Sequence, residues 1–265
     1  MTHYEQWLNV ALQAAEEVGE YLRRAWRTDH AIQDKGYRDI VTDADIAAES
    51  IILDRLRAAF PDHAVTSEEA GADASGASVR WLVDPIDGTT NFSRNNPNFS
   101  TAIAAVEDGM PVVGVVYDSL RHQAFAACAG GGATLNGVPI HVSGTTELTS
   151  AIFAIDTPKE SDLRQRMWGY ISNFLVHGRT MRALGSAALN LAYVASGWVD
   201  GYLSVHMKPW DQAAGGLLVI EAGGVVSTIS GDAWTPFRPD PLVAATPALM
   251  DAMRTSLNGT AHAEA

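Results

Sequence analysis

The chain has 265 residues, with 18 Lys or Arg against 31 Asp or Glu, for a formal net charge of −13. Hydrophobic residues at 47% and charged residues at 18% are the proportions of a folded globular chain and exclude disorder over most of its length. The acidic balance argues against binding to nucleic acid or to an anionic membrane, since both need a basic face. Cys128 is the single cysteine, so neither an intrachain disulfide nor a CxxC site can form. The first ten residues lack a basic stretch followed by an apolar core, and the apolar run over 213–226 is interrupted by Glu221. A soluble cytoplasmic protein without a signal peptide or membrane span is expected.

In chain order, apolar residues at Tyr4, Trp7, Leu8, Ala11, Ala14, Ala15, Val18, Leu22 and Trp26 fall at helical spacing and predict a first helix. A second is expected from Thr42, its N-cap, to Phe60, where Pro61 stops it. The pattern then changes to strands: a short one at 64–65, another over 80–84, and a hairpin of 100–106 and 111–117 about Asp108-Gly109. Further strands are expected at 123–127 and, after the Asn136-Gly137 turn, at 138–142. Beyond a polar boundary at 143–150 the order alternates. Strands are read at 151–156, 178–181, 201–204, 225–228 and 242–245, and helices at 161–175, 186–196, 211–222 and 247–257. Alternation of this kind implies layered α/β structure behind a strand-rich first half. Two subdomains are expected, 1–145 and 146–265, with 258–265 a frayed tail.

The chemistry is concentrated in WLVDPIDGTTNF, residues 81–92. An apolar strand runs into Asp84, Pro85 stiffens the next step, Asp87 follows, and Gly88 permits an unusual backbone angle before Thr89-Thr90 start a helix. Two carboxylates at a strand end can converge on one point, and the N–H groups of Gly88, Thr89 and Thr90 can face it. Hard oxygen ligands for a cation would then lie beside donors for an anion, which a phosphate bridged to Mg²⁺ needs. Asp-Pro-x-Asp-Gly alone is also an ordinary turn. Three further acidic positions, Glu68 in Ser67-Glu68-Glu69, Asp45 at the start of the second helix and Asp211 in Pro209-Trp210-Asp211, each have a bland reading as surface or helix-end charges. Ser186 lies outside any GxSxG motif, the eight histidines form no HxxxH or HxH pair, and Gly130-Gly131-Gly132 lacks the lysine of a nucleotide loop.

Taken together these stretches resemble the inositol monophosphatase family of magnesium-dependent, lithium-sensitive phosphatases, a bacterial-type member being the nearest. WLVDPIDGTTNF is similar to that family's first signature and PWDQAAGGLLVIEAGG, 209–224, to its second. Lys35 with DIVTDAD at 39–45, SEE at 67–69, GGATLNG at 131–137 and LGSAALNLAYVASGWVDGY at 184–202 also match, in the family's order. The resemblance implies an αβαβα layered sandwich, homodimeric assembly, and a phosphomonoesterase of small alcohol phosphates using two or three Mg²⁺ ions. It implies that Glu68, Asp84, Asp87, Asp211 and the Ile86 carbonyl hold the ions, and that Thr89 and Asp45, with Glu68 nearby, activate water. Gly88, Thr89 and Thr90 would bind phosphate, and Gly185, Ser186 and Ala187 would line the alcohol side. Five carboxylates in one cleft agree with this, since they would force protonation unless cations were present. One position departs from the pattern: Ser204 stands where inositol-type members carry a glutamate for substrate hydroxyls. The substrate therefore stays open among inositol monophosphate, histidinol phosphate, fructose 1,6-bisphosphate and 3′-phosphoadenosine nucleotides. A metal-binding regulatory protein without turnover is the rival class.

Overall fold

The computed structural model describes residues 2–73 and 76–258. Helix α1 (His3–Ala25) opens on a capping box, Thr2 Oγ1 accepting from Glu5 N at 3.2 Å while Glu5 Oε2 accepts from Thr2 N at 2.7 Å. A two-stranded hairpin, β1 (Ile32–Gly36) and β2 (Asp39–Thr42), follows. The sequence pattern gave no sign of β1 because all five of its residues are exposed and nothing alternates. Helix α2 (Asp43–Ala59) starts where Thr42 predicts, in a reciprocal cap with Asp45.

Strands β3 (Ala64–Ser67), β4 (Gly71–Ala72) and β5 (Val79–Asp87) lead into the short helix α3 (Thr89–Ser93). Then come β6 (Ser100–Glu107), β7 (Met110–Asp118), β8 (Gln123–Cys128), β9 (Ala133–Leu135) and β10 (Val138–Ile140). They form an eight-stranded sheet in the order β10-β9-β8-β7-β6-β5-β3-β4, antiparallel except for the β3–β5 pair. Asp108-Gly109 (φ 49° and 79°) and Asn136-Gly137 (φ 51° and 78°) both place two left-handed residues at their hairpin tips, the mirror-image turn that suits strand twist.

The second half contributes β11 (Ile152–Ile155), α4 (Ser161–His177), β12 (Thr180–Arg182), α5 (Ala187–Ala195), β13 (Gly201–Leu203), α6 (Pro209–Glu221), β14 (Val225–Thr228), β15 (Pro241–Ala244) and α7 (Pro247–Asn258). Its five strands form a sheet in the order β12-β11-β13-β15-β14. The tail expected from 258 onward lies outside the described residues except for Asn258, the last residue of α7.

Alternation along the strands sorts the buried residues into three cores. Trp81, Val83, Ile103 and Val115 face α1 and α2. Leu82, Ala102, Ala104 and Val116 face α5 and α6, which also cover Ala154, Tyr202 and Val243 of the second sheet. Phe153, Leu203, Leu242 and Ala244 face α4 and α7. The result is the expected αβαβα sandwich, with α5 and α6 as the middle layer between the two sheets. Helix α6 also closes a loop of the first sheet: Gly130 N and Gly132 N donate to the two Glu221 carboxylate oxygens, each at 2.9 Å. The glycine run is thus a turn with an internal anion. Cys128 is half-buried at the rim of the first core.

Candidate active site

The site begins with an irregularity in β5. Asp84 pairs with Ala102 and Asp87 with Ser100, so the bulged strand spends one residue more than its partner. In a regular strand Asp84 and Asp87 would face opposite sides. The bulge turns both toward the middle helical layer. Thr101 Oγ1 donates to Pro85 O at 2.9 Å and pins the bulge. Gly88 then takes φ 98°, and a Cβ on it would stand 2.9 Å from Gly185 O and 3.1 Å from Asn98 O. Conformation and space both require glycine here. Asn91 Nδ2 donates to Asn98 O at 2.6 Å and Leu184 O at 2.7 Å, tying α3 to the 184–185 loop.

Each acidic side chain is held by a different element. Asp45 is buried; its Oδ2 accepts from Thr42 N (2.8 Å) and Thr42 Oγ1 (2.6 Å), and its Oδ1 accepts from Thr89 Oγ1 at 2.9 Å. Glu68 lies beside Lys35, Nζ to Oε1 3.3 Å, and Lys35 also meets Glu69 at 2.7 Å. Burial works against the Lys35 charge, but the two carboxylates outweigh it and raise its pKa. Glu49, buried in α2, shapes the turn carrying Glu68: its Oε1 accepts from Glu69 N (3.1 Å), Ala70 N (3.0 Å) and the Ser67 hydroxyl. Asp87 meets the N-terminus of α5 from outside the helix, accepting from Ser186 Oγ (2.5 Å), Ala188 N (2.8 Å) and Ala187 N (3.1 Å). Asp211, in the first turn of α6, accepts from Lys208 N at 2.9 Å through Oδ2.

Asp84 is different. It is 2% exposed, and its Oδ1 has no hydrogen-bond partner among the described residues. Burial, then Glu68, Asp87, Asp211 and Asp45, push its pKa well above the ordinary carboxylate range. Burial lifts Asp87 to about 7 against the pull of its Ser186 bond, with Asp156 adding to the rise. Burial, then Asp87 and Glu68, lift Asp211 to about 8. Carboxylates whose pKa values burial and, for Asp84 and Asp211, neighbouring charge raise, with one buried oxygen unpaired, fit a cation. Among the described residues no three acidic, His or Cys side chains converge as a ready-made cage. Mg²⁺ keeps several waters and shares its ligands between carboxylates and substrate phosphate.

Glu68, Asp84, Ile86, Asp87 and Asp211 line one cleft of about 570 Å³, together with Gly88, Thr89, Thr90, Gly185 and Ala187. Asp45 reaches it through Thr89. The two serines expected at the alcohol side are placed differently. Ser186, 1% exposed, spends its hydroxyl on Asp87 and serves as the N-cap of α5, so it does not line the alcohol side. Ser204 is 3% exposed, close to Tyr202, and borders an adjoining cleft. The carboxylate on that side is Asp156, at the end of β11, which lines both clefts and accepts from Tyr202 Oη at 2.7 Å and Asn190 Nδ2 at 3.0 Å. The signal for it was in the sequence: Ile152-Phe153-Ala154-Ile155-Asp156 is an apolar strand running into a carboxylate, as Trp81–Asp84 is.

Against this geometry, the model of the inositol monophosphatase family matches residues 3–260. The chain belongs to the inositol monophosphatase family. Over 228 residues, 84% of this chain and 85% of the other, it is 40% identical to the Nus factor SuhB of Escherichia coli K12. Among solved structures it resembles the extragenic suppressor protein suhB of Bartonella henselae, with TM-score 0.90 and 33% identity over 94% of this chain and 97% of that one. An IMPase of Thermotoga maritima superposes with TM-score 0.87 and 35% identity, covering 97% and 98% of the two chains. Family membership brings phosphatase chemistry dependent on Mg²⁺ as the general expectation. No helix among the described residues is long and apolar enough to cross a membrane.

Proposed function

We propose that this chain is a Mg²⁺-dependent phosphomonoesterase of small alcohol phosphates, with myo-inositol monophosphate as the first candidate substrate. The observation that carries the reading is Asp84 Oδ1, a buried carboxylate oxygen without a partner, among mutually charged neighbours beside the start of α3. Glu68, Asp84, Asp87, Asp211 and the Ile86 carbonyl would hold the ions. When bound, Mg²⁺ supplies Lewis-acid polarisation of the phosphate oxygens and makes water acidic enough to react near neutral pH.

The chain's own residues do the rest. The N–H groups of Gly88, Thr89 and Thr90 receive the phosphate oxygens, as the free donors of a helix start can. The Thr89 hydroxyl donates to Asp45 Oδ1, which leaves its oxygen lone pairs turned to a water. As that water attacks phosphorus, its proton passes to Thr89 Oγ1 and the threonine proton passes to Asp45 Oδ1. Burial raises the pKa of Asp45, although bonds from Thr42 and Thr89 oppose the rise, so it can take up the proton. The new P–O bond forms as the ester P–O bond breaks on the far side, and the departing alkoxide takes a proton from solvent. Gly185 and Ala187 border the space for the alcohol.

Phosphate release from a panel of phosphomonoesters, with Mg²⁺ and with excess EDTA, tests the reading. Turnover only with Mg²⁺ is expected; equal release in EDTA sinks it. The relatives named Nus factor support a second reading, in which the chain serves as a partner in a transcription complex. A chain that binds such a complex and releases phosphate from no substrate would favour that reading.

A further inference from the structure

Helix α3 is five residues long, too short to hold its own shape in water, so the turn that carries Gly88, Thr89 and Thr90 into the cleft needs support from outside. That support converges on Asn91. Its Nδ2 donates to Asn98 O and Leu184 O, its Oδ1 accepts from Asn96 Nδ2 at 3.1 Å, and its carbonyl accepts from Arg94 N at 3.1 Å and Asn96 N at 2.9 Å. The segment 95–98 that supplies these partners is irregular: Asn95 takes φ 58°, and Pro97 has no N–H to give. Its fixed point lies in the turn between β7 and β8. There Asp118, fully buried, accepts from Leu120 N (3.2 Å) and Arg121 N (3.0 Å) through Oδ1, and from Arg121 Nη1 (2.5 Å) through Oδ2. The same guanidinium reaches the irregular segment: Nη1 donates to Pro97 O at 3.2 Å and Nη2 to Asn98 Oδ1 at 3.1 Å. Arg23 of α1 donates to Ser119 O at 2.9 Å and fixes that turn from the helical side. A path of hydrogen bonds therefore runs from Asp118 through Arg121 to Asn98, from the Asn98 carbonyl to Asn91, and from Asn91 to the 184–185 loop of the second half.

We infer that Arg121 is a positioning residue, which, on the phosphatase reading above, sets the place of the Gly88–Asn91 turn and through it the grip on the phosphate. Arg121 itself does not line the cleft. The ion ligands are held by other means: Asp87 takes its backbone bonds from Ala187 and Ala188, and Asp211 from Lys208. Arg121 therefore acts on phosphate and not on metal. The task needs arginine. A planar fork spreads its donors over the Asp118 carboxylate, a carbonyl and an amide oxygen on two segments, whereas an ammonium is a point charge that satisfies Asp118 and leaves the rest. Displacing a reacting group by about 1 Å costs about 10²-fold in rate, so a tether outside the cleft is enough to govern turnover.

Two variants of the full chain separate tethering from charge balance. Arg121→Lys keeps a cation beside Asp118 and loses the fork; Asn98→Ala keeps the ion pair and removes one acceptor. Inorganic phosphate, titrated calorimetrically into the Mg²⁺-loaded protein, should bind at least about tenfold more weakly in Arg121→Lys, with a smaller loss in Asn98→Ala. Mg²⁺ titrated without phosphate should bind both variants as it binds the wild type. Hydrogen exchange should quicken at the amides of Phe92, Arg94, Asn95 and Asn96, which close the turn, and stay unchanged in β6 and β7. With glycerol 2-phosphate, KM should rise as kcat falls, whereas loss of folded protein alone lowers kcat and leaves KM as it is. Wild-type phosphate affinity in folded Arg121→Lys overturns the positioning role. Exchange that quickens evenly through β6 and β7, or Mg²⁺ affinity that falls in step with phosphate affinity, overturns it as well. A wild type that hydrolyses no phosphomonoester and takes up no phosphate sinks the phosphatase reading, and exchange at the four turn amides then decides the tether by itself.

Discussion

At the scale of single residues, the site separates holding charge from moving protons. Among the described residues Asp84 meets no hydrogen-bond donor at Oδ1, which leaves that buried oxygen free for an ion. Asp84→Asn should abolish Mg²⁺-dependent turnover, and calorimetric Mg²⁺ titration should show weakened binding. Thr89 touches Asp45 and the Ile86 carbonyl and carries no charge. Thr89→Ala should leave Mg²⁺ affinity nearly intact while kcat falls by about 10²–10⁴, the usual worth of a positioned proton acceptor. Thr89→Ser, which restores a hydroxyl, should recover most of that loss. Steady-state kinetics at saturating Mg²⁺ decide this, and a Thr89→Ala variant with unchanged kcat removes the threonine from the proton path. Ser204 belongs to a different argument, because it is buried close to Tyr202, whose hydroxyl donates to Asp156, a carboxylate that lines both clefts.

At the scale of elements, the cleft depends on how closely α6 lies on the first sheet. A Cβ on Gly114 of β7 would stand 2.9 Å from Ala214 O and 3.0 Å from its Cα, both backbone atoms that cannot rotate away. Asp211 is one turn earlier on the same helix. Gly114→Val should therefore lift α6, cost about 1–3 kcal/mol of stability as overpacking does, and weaken Mg²⁺ binding through Asp211. Urea unfolding and Mg²⁺ titration of the same variant read both effects, and a variant with wild-type values for both would show that the contact is slack. This contact was not legible in the sequence, where Gly114 is only a residue within a strand. Amphipathic helices, type I′ turn dipeptides and the Thr42 cap were legible because each is written in neighbouring residues. Strand β1 was not, since all five of its residues are exposed and nothing alternates. The first signature showed that Asp84 and Asp87 belong together, but the bulge that brings them to one side depends on pairing with β6. Asp156 ends an apolar strand that is legible locally, but its place in the same cleft as Asp84 and Asp87 depends on how the two halves of the chain pack.

At the scale of the whole molecule, both sheets, the middle helical layer and the α2 cap send carboxylates into one cleft, and folding concentrates charge that the unfolded chain disperses. Asp87 and Asp211 rise from an ordinary 3.8 to about 7 and about 8, and Asp45, Asp84 and Asp156 rise with them, burial being the leading cause in each. A carboxyl with a raised folded-state pKa binds its proton more tightly folded than unfolded. Its contribution is fully present below the unfolded pKa and is lost as pH climbs through the folded one. Between pH 7 and 9 the unfolded carboxylates are already ionised, and His63, whose pKa burial lowers, is mostly neutral in both states. In EDTA the melting temperature should therefore fall from pH 7 to pH 9. A change of 1 kcal/mol moves it by about 2–4 °C at this chain length. Mg²⁺ reverses the balance, because it binds the deprotonated carboxylates of the folded state and not the dispersed ones of the unfolded chain. Its stabilising increment should be larger at pH 9 than at pH 7, so that the two melting curves with Mg²⁺ lie closer together than those without. Calorimetric scans at both pH values, with and without Mg²⁺, measure all four points. A metal-free protein that melts higher at pH 9, or an Mg²⁺ increment that shrinks with pH, would mean that the cleft carboxylates do not carry the stability of the fold in this range.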